Sequence, residues 1–391
     1  MQDAEATVRY GFDSTKIDSC GPEGNISAWR EALDAASLKY GDGRHIAMEN
    51  CRNYAYTQSV TTTTECQFDT FRSTEDNAPD FASIMHNLMT NAQAPGSSGN
   101  VHGGLPVSHP GTSACYICLC LVSVSWWLDK PQTLLPSINI ASNSIRPWHA
   151  IPDSNTGLAH VRTVVLIALA GCWSYPDMLE TVGSGRCRQD LPNGTCGHPS
   201  PGRRSGGLDL NESRAHFGAW CVVSSPLVLG HDLSNDDEYD AAWPVVGNAE
   251  AIRVNQAYAG DAGRLVAVAT NQLDNLELYH GAGCECVYPG TLPQWSVFAK
   301  RLDQHATEAG VIAINFSNET IAAATIKVSV TRIFGDSECP TPLSMAERDL
   351  WTGAVRAWPT QHEGNATGVW IVPELAPRSS YFVSLQRRSS P

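Results

Sequence analysis

The sequence predicts an α/β domain of strand-helix units around a parallel sheet, followed by an antiparallel β-sandwich. Three observations carry this expectation. From Gly11 to about Tyr258, short β-like runs alternate with longer amphipathic stretches, the pattern of strand-helix units around a parallel sheet. After Gly260 the text changes to period-two alternation broken by Gly, Pro and Asn, which reads as an antiparallel sandwich. At 391 residues, 42% hydrophobic and 17% charged, the chain can bury one large domain and a smaller module.

Taken in order, candidate strands occupy 14–17, 45–49, 68–72, 165–171 and 226–229. Helices are expected near 26–38, 81–88, 213–223 and 249–256. Strands of the second part are expected at 264–269, 295–300, 311–316, 325–330, 368–372 and 380–384. Between Asn91 and about Arg162 the periodicity lapses: Gly/Ser/Pro-rich text over 94–110 precedes an apolar run at 114–128 and further Pro-rich text. A structureless stretch of this length inside a compact domain reads as an insertion, a loop or non-coding sequence in a faulty gene model. Its Cys115-x-x-Cys118-x-Cys120 cluster lacks the second ligand pair of a zinc site, so no metal is expected.

Forty acidic against 26 basic residues give a formal charge of −14, which repels phosphate backbones and anionic lipid, so neither nucleic acid nor membrane is an expected partner. The apolar run at 114–128 falls short of the roughly 20 residues that span a bilayer. Thirteen cysteines and six sequons, at Asn25, Asn193, Asn211, Asn315, Asn318 and Asn365, fit a secreted or lysosomal/vacuolar glycoprotein. The polar segment Met1 to Tyr10 has no apolar core of a signal peptide, so a secreted form would need a start that lies upstream. The spacing of Cys187 and Cys196 would close a short loop around Asn193.

Three blocks carry candidate chemistry. In Lys16-Ile-Asp18-Ser-Cys20 an acidic residue follows a short strand, where it either faces a substrate or caps a helix. In Arg72-Ser-Thr-Glu75-Asp76 the four-residue spacing of Arg72 and Asp76 equally suits an exposed helical ion pair. Gly171-Cys-Trp173-Ser-Tyr-Pro176-Asp177-Met178-Leu-Glu180 is more distinctive. Trp offers an apolar platform to the CH face of a sugar while Asp accepts from its hydroxyls, although a buried Trp beside a turn would give the same text.

The ordered series KIDSCG, IAMENC, FRSTED, GCWSYPDMLE, HFGAWCVVSSPLVLGHDL and AIRVNQ resembles the α-galactosidase family, glycoside hydrolase family 27, from its fourth barrel strand to its eighth. The likeness covers roughly 11–90 and 168–260 and continues more weakly through QWSVFAK, GVIAINFSN and RDLWTG. It implies a TIM-type (β/α)8 barrel, N-terminally incomplete, over 1–260 with an insertion at about 91–165, and a C-terminal antiparallel β-sandwich domain over 261–391. It also implies a retaining exo-glycosidase that hydrolyses terminal α-D-galactosides of an oligosaccharide or glycoconjugate by double displacement, with no cofactor. The catalytic pair would be Asp18 as nucleophile and Asp76 as acid/base. Lys16, Arg72, Trp173, Asp177 and Met178 would bind the sugar, and Cys51 and Cys66 would form a disulfide.

The chain also departs from the family. No text ahead of Gly11 matches the first three strands, whose residues grip the sugar's 4- and 6-hydroxyls, and Arg52 and Asn53 stand where many members place an acidic residue and an aromatic. Galactosides, α-N-acetylgalactosaminides and β-L-arabinopyranosides therefore all remain open as substrates, as does oligomeric state. A second segment, Asn143-Ser-Ile-Arg146-Pro-Trp-His-Ala150-Ile, competes for the acid/base motif and would place Ala150 at the catalytic position. Asp76 is preferred because Arg72 follows Cys66 at a plausible distance and leads into a helix at Phe81. The alternative reading is an inactive or truncated carbohydrate-binding relative.

Overall fold

A computed structural model describes residues 2–18, 25–51, 68–74, 76–77, 80–93, 173–181, 208–230, 236–259, 262–274, 277–281, 284–287, 291–335, 344–358 and 368–388. They fall into two compact units, one running to Arg72 and including the strand that ends at Tyr175, the other holding Ser73 to Gln93 and everything from Pro176 onward.

The first unit contains a four-stranded parallel sheet in the order β1 (Ser14–Ile17), β2 (Ala47–Asn50), β3 (Thr70–Arg72) and β4 (Trp173–Tyr175). Helices α1 (Gln2–Arg9) and α2 (Ile26–Tyr40) share a core with it, formed by Ala4, Val8, Leu33, Ala36, Ile17, Met48 and Phe71. Asn25 starts α2 by accepting from the Ala28 amide at 3.1 Å, which satisfies one of the amides a helix leaves open at its first turn. Buried Asp69 fixes the entry into β2 and β3: it accepts from the Met48 amide at 2.7 Å and meets His45 Nε2 at 2.7 Å. These contacts hold the strands so that Lys16 of β1 lies in register with Glu49 of β2.

In the second unit, helices α3 (Phe81–Gln93), α4 (Leu210–Val222), α5 (Asp236–Val246) and α6 (Ala249–Gln256) precede the antiparallel strands. The main sheet has six strands in the order β14 (Val355–Trp358), β13 (Ser344–Asp349), β16 (Ser380–Arg388), β11 (Glu308–Asn315), β10 (Trp295–Arg301) and β5 (Arg264–Val268). Three two-stranded ribbons accompany it: β6 (Gln272–Asp274) with β9 (Thr291–Pro293), β7 (Glu277–Gly281) with β8 (Cys284–Val287), and β12 (Lys327–Ser329) with β15 (Val369–Ile371).

Both faces of this sheet are covered, which explains why β11 is apolar almost throughout instead of alternating. Ile312 and Ile314 join Phe298 and Phe382 in a core with Phe217 and Trp220 of α4. Val311 and Ala313 face the other way, into a core with Trp370 and with Ile333 and Phe334 of the short helix α7 (Val330–Phe334). Helix α4 comes so close that a Cβ at Gly218 would lie 2.7 Å from Ile312 and 3.0 Å from Phe382. Lys300 of β10 is fully buried and donates to the last carbonyls of α6, Val254 and Asn255, both at 2.8 Å. A cation at this helix end satisfies open carbonyls and opposes the dipole.

Among the described residues most expected elements recur with shifts of a few residues, while the strand expected at 165–171 lies outside the described residues. The strand expected at 226–229 is reduced to one parallel bridge between Leu179 and Leu229. Helices α1 and α5 were not expected from the sequence; α5 carries Pro244 inside it, a residue that ordinarily ends a helix. The expected insertion at 91–165 lies outside the described residues except for 91–93, which complete α3. The change of architecture near residue 260 falls at the start of β5, yet the helices before it and the sheet after it belong to one compact unit. Among the described residues no helix is long and apolar enough to cross a membrane.

The six sequons are not equivalent. Asn315 is fully buried, its amide donating to Glu319 O at 2.7 Å and Ala376 O at 2.9 Å, so a glycan there is incompatible with the fold. Asn25, Asn211 and Asn318 are exposed, while Asn193 and Asn365 lie outside the described residues.

Candidate active site

The candidate residues divide between the two units. In the first, Asp18 directly follows β1 and is exposed, and the Lys16 ammonium stands 4.0 Å from its Oδ2. The same ammonium lies 3.7 Å from Oε1 of Glu49 on the neighbouring strand, so one cation sits between two carboxylates. Cys51 follows β2 as a buried free thiol, pushed up to about 11 by burial. Lys16 and Arg72 oppose that shift while Asp18 and Glu49 add to it, which places two cations and two carboxylates within electrostatic reach of one sulfur. Arg72 ends β3 and is buried. Trp173 opens β4, paired with Thr70. Cys66, the expected partner of Cys51, lies outside the described residues.

In the second unit Asp177 is the centre of a buried network. Its carboxylate accepts from the Asn77 amide and from the Met178 amide, each at 2.8 Å, and its carbonyl accepts from Trp220 Nε1 at 2.7 Å. Asn77 Nδ2 donates to Met178 O at 2.8 Å, and Asn87 of α3 donates to Asn77 Oδ1 at 2.7 Å. Asp177 adopts φ +86°, a region non-glycine residues rarely enter and one that surrounding contacts must enforce. Both its oxygens are thus engaged with the backbone and only 2% of the residue is exposed, although each oxygen keeps a second lone pair. Exposed Asp76 immediately precedes Asn77, so this network fixes the backbone that carries it. The rival segment around Ala150 lies outside the described residues.

The segment from Pro176 to Thr181 that carries Met178 is supported from α4. His216 is fully buried, meets Glu180 O at 3.1 Å and packs edge-on to Trp220 at 4.2 Å between ring centroids. Burial pulls its pKa down to about 3, so its ring is neutral across the ordinary pH range.

Glu49, Asn77, Asn87 and His216 carry no isolated sequence signal as site residues. Glu49 reads as a strand residue, and its relation to Lys16 exists only through parallel pairing of two strands far apart in the chain. Asn77 meets Asp177 and Met178 across about a hundred positions of sequence, beyond any local periodicity, and Asn87 reaches them through its bond to Asn77.

No family model matches the chain. It is 30% identical over 153 residues to an α-galactosidase of Cyamopsis tetragonoloba, an alignment spanning 38% of this chain and 30% of that protein. The chain therefore matches less than a third of this curated relative. Among solved structures, the fold is similar to α-galactosidase I from Mortierella vinacea, with a TM-score of 0.50 and 17% identity over 99% of this chain and 71% of that one. It is also similar to a GH27 β-L-arabinopyranosidase from Geobacillus stearothermophilus, with a TM-score of 0.53 and 16% identity over 99% of this chain and 61% of that one.

Proposed function

We propose that the chain is a retaining exo-glycosidase of the α-galactosidase family, glycoside hydrolase family 27, acting on terminal α-D-galactosides, a reading that the partial likeness to a curated α-galactosidase and the similarity of fold support. The observation that carries this reading is Asp18 at the end of a parallel strand with the Lys16 ammonium 4.0 Å away. The ammonium stands where it can orient that carboxylate as a nucleophile.

In the first step an Asp18 oxygen attacks the anomeric carbon while Asp76 protonates the departing glycosidic oxygen. Water then cleaves the glycosyl ester with Asp76 acting as base, which regenerates both residues. Such a mechanism requires the two carboxyl groups about 5–5.5 Å apart, too close for an intervening water. Lys16 and Arg72 bind hydroxyls of the sugar, and Trp173 offers its apolar face. Asp177 and Met178 are assigned to sugar binding as well, and Asp177 holds the backbone beside Asp76 through the Asn77 amide. The substrate is an oligosaccharide or glycoconjugate and no cofactor takes part. The sequons and cysteines support a secreted or vacuolar setting.

Asp18→Asn should abolish turnover of an aryl α-galactoside in a folded protein; unchanged activity refutes the nucleophile. Asp76→Ala should lose activity on natural galactosides yet retain measurable hydrolysis of an aryl glycoside whose leaving group needs little protonation. Wild-type rates of Asp76→Ala on natural galactosides would place the acid/base elsewhere. A correctly folded wild-type chain that binds galactose but turns over neither substrate would identify an inactive carbohydrate-binding relative.

A further inference from the structure

Lys16 lies between two carboxylates, and the proposed reaction consumes only one of them. Its ammonium is 4.0 Å from Asp18 and 3.7 Å from Glu49, and Glu49 is the less exposed partner, with 14% of its side chain accessible against 46% for Asp18. Parallel pairing fixes this arrangement, since Lys16 and Glu49 are direct partners in the β1–β2 register and so project from the same side of the sheet. Arg72 of β3 is the other cation in the group, and the Cys51 thiol stays neutral below about pH 11.

We infer that Glu49 is a positioning residue for the nucleophile: it anchors the Lys16 ammonium beside Asp18 and remains its counter-ion once Asp18 is bonded to the sugar. The inference rests on Asp18 being the nucleophile. Before attack, Lys16, Asp18 and Glu49 sum to one negative charge. When an Asp18 oxygen forms its bond to the anomeric carbon, the glycosidic bond breaks, its electron pair leaves with the oxygen, and Asp76 supplies the proton. Asp18 is now a neutral ester. Without Glu49 the Lys16 ammonium, with 30% of its side chain accessible, would lose the carboxylates on both sides. With Glu49 the pair is neutral and the ammonium keeps its place for the second step.

The test uses the full chain and two readouts. Trace acetylation of Lys16 at pH 8, read by peptide mass spectrometry, needs no turnover. Loss of the Glu49 charge favours the free amine, so labelling should rise about threefold in Glu49→Gln and stay unchanged in the control Glu250→Gln, whose carboxylate pairs with Arg348. In kinetics with an aryl galactoside, kcat/KM should fall about five- to tenfold in Glu49→Gln, because it reports formation of the glycosyl ester. The kcat value, limited by ester hydrolysis for a good leaving group, should fall as well, because Lys16 has lost the counter-ion that holds it through the second step. Glu49→Asp, which keeps the charge, should recover part of the loss. Equal Lys16 labelling in Glu49→Gln and wild type overturns the inference, as does a labelling change with unaltered kcat/KM. Wild-type turnover by Asp18→Asn would instead remove the nucleophile reading, an outcome recognisable because the labelling response does not depend on it.

Discussion

At the scale of single residues, the buried polar side chains govern the candidate site. Asp177 sits in a backbone conformation that L-residues rarely adopt and uses both carboxylate oxygens to hold amides, one of them at Asn77 beside Asp76. An amide side chain has one acceptor oxygen where a carboxylate has two, so Asp177→Asn must leave the Asn77 or Met178 amide facing a donor. Leaving a buried amide unpaired costs on the order of 1–3 kcal/mol. Asp177→Asn should therefore lower stability by about that amount and reduce turnover by more than tenfold, as measured by urea unfolding and aryl-galactoside kinetics together. Unchanged stability and turnover would show that the network does not hold the site. At this scale the sequence was partly legible. Asp177 stands out because Trp, Pro and Asp-Met crowd around it, and Asp18 because it follows a strand with Lys two positions earlier. Glu49, Asn77 and Asn87 were not legible, since each gains its role from a partner on another element. Asn315 shows the reverse error: its sequon reads as a glycan acceptor, while the folded chain uses that amide to tie down two carbonyls.

At the scale of elements, the helix termini join the helices of the second unit to its sheet. Asp80 caps α3 by accepting from the Ser83 amide at 2.8 Å. Glu212 completes a reciprocal capping box with Asp209 at the start of α4 and pairs at 3.1 Å with Arg378, just before β16. Burial pushes Asp80 up from 3.8 to about 7, with Glu212 adding to the shift and Arg378 opposing it. Glu212 is raised as well, again chiefly by burial. A raised carboxyl binds its proton more tightly in the folded chain than in the unfolded one. Its contribution is present below about pH 4 and lost as pH rises toward 7, amounting to at most about 4 kcal/mol for Asp80. Asp80→Asn keeps the cap acceptor and removes the titration, so unfolding free energy should fall less steeply between pH 4 and 7 than in wild type. Identical slopes in the two proteins would contradict this assignment. Most elements were legible because their apolar periodicity is local: α6 and β1 match the expected bounds. Helix α5 was obscured by Pro244 and by an acidic first turn, and its apolar face is defined only by Ala242, Val245 and Val246 packing into the core.

At the scale of the molecule, the sequence located the change from α/β to antiparallel β near residue 260 but not the packing that crosses it. One hydrophobic core combines Phe81 of α3, Trp220 of α4 and Val254 of α6 with Phe298, Ile312 and Phe382 of the antiparallel sheet. The compact units consequently divide at Arg72 and Tyr175 instead. Periodicity reports which face of an element is apolar and says nothing of the element that covers it, so such a boundary cannot be read from alternation alone. The likeness to solved structures reaches 99% of this chain at 16–17% identity, which extends the fold well beyond the 38% aligned in sequence with the Cyamopsis enzyme. The ordered motifs are what connect that fold to a reaction, and the covalent intermediate is the species on which the whole account depends. The most direct measurement is to incubate the full chain with a 5-fluoro-α-D-galactosyl fluoride, which forms the glycosyl ester readily and hydrolyses it slowly, and to map the adduct by peptide mass spectrometry. The account predicts one galactosyl adduct, on Asp18, absent from Asp18→Asn; an adduct on a different residue, or rapid turnover with no adduct, would contradict it.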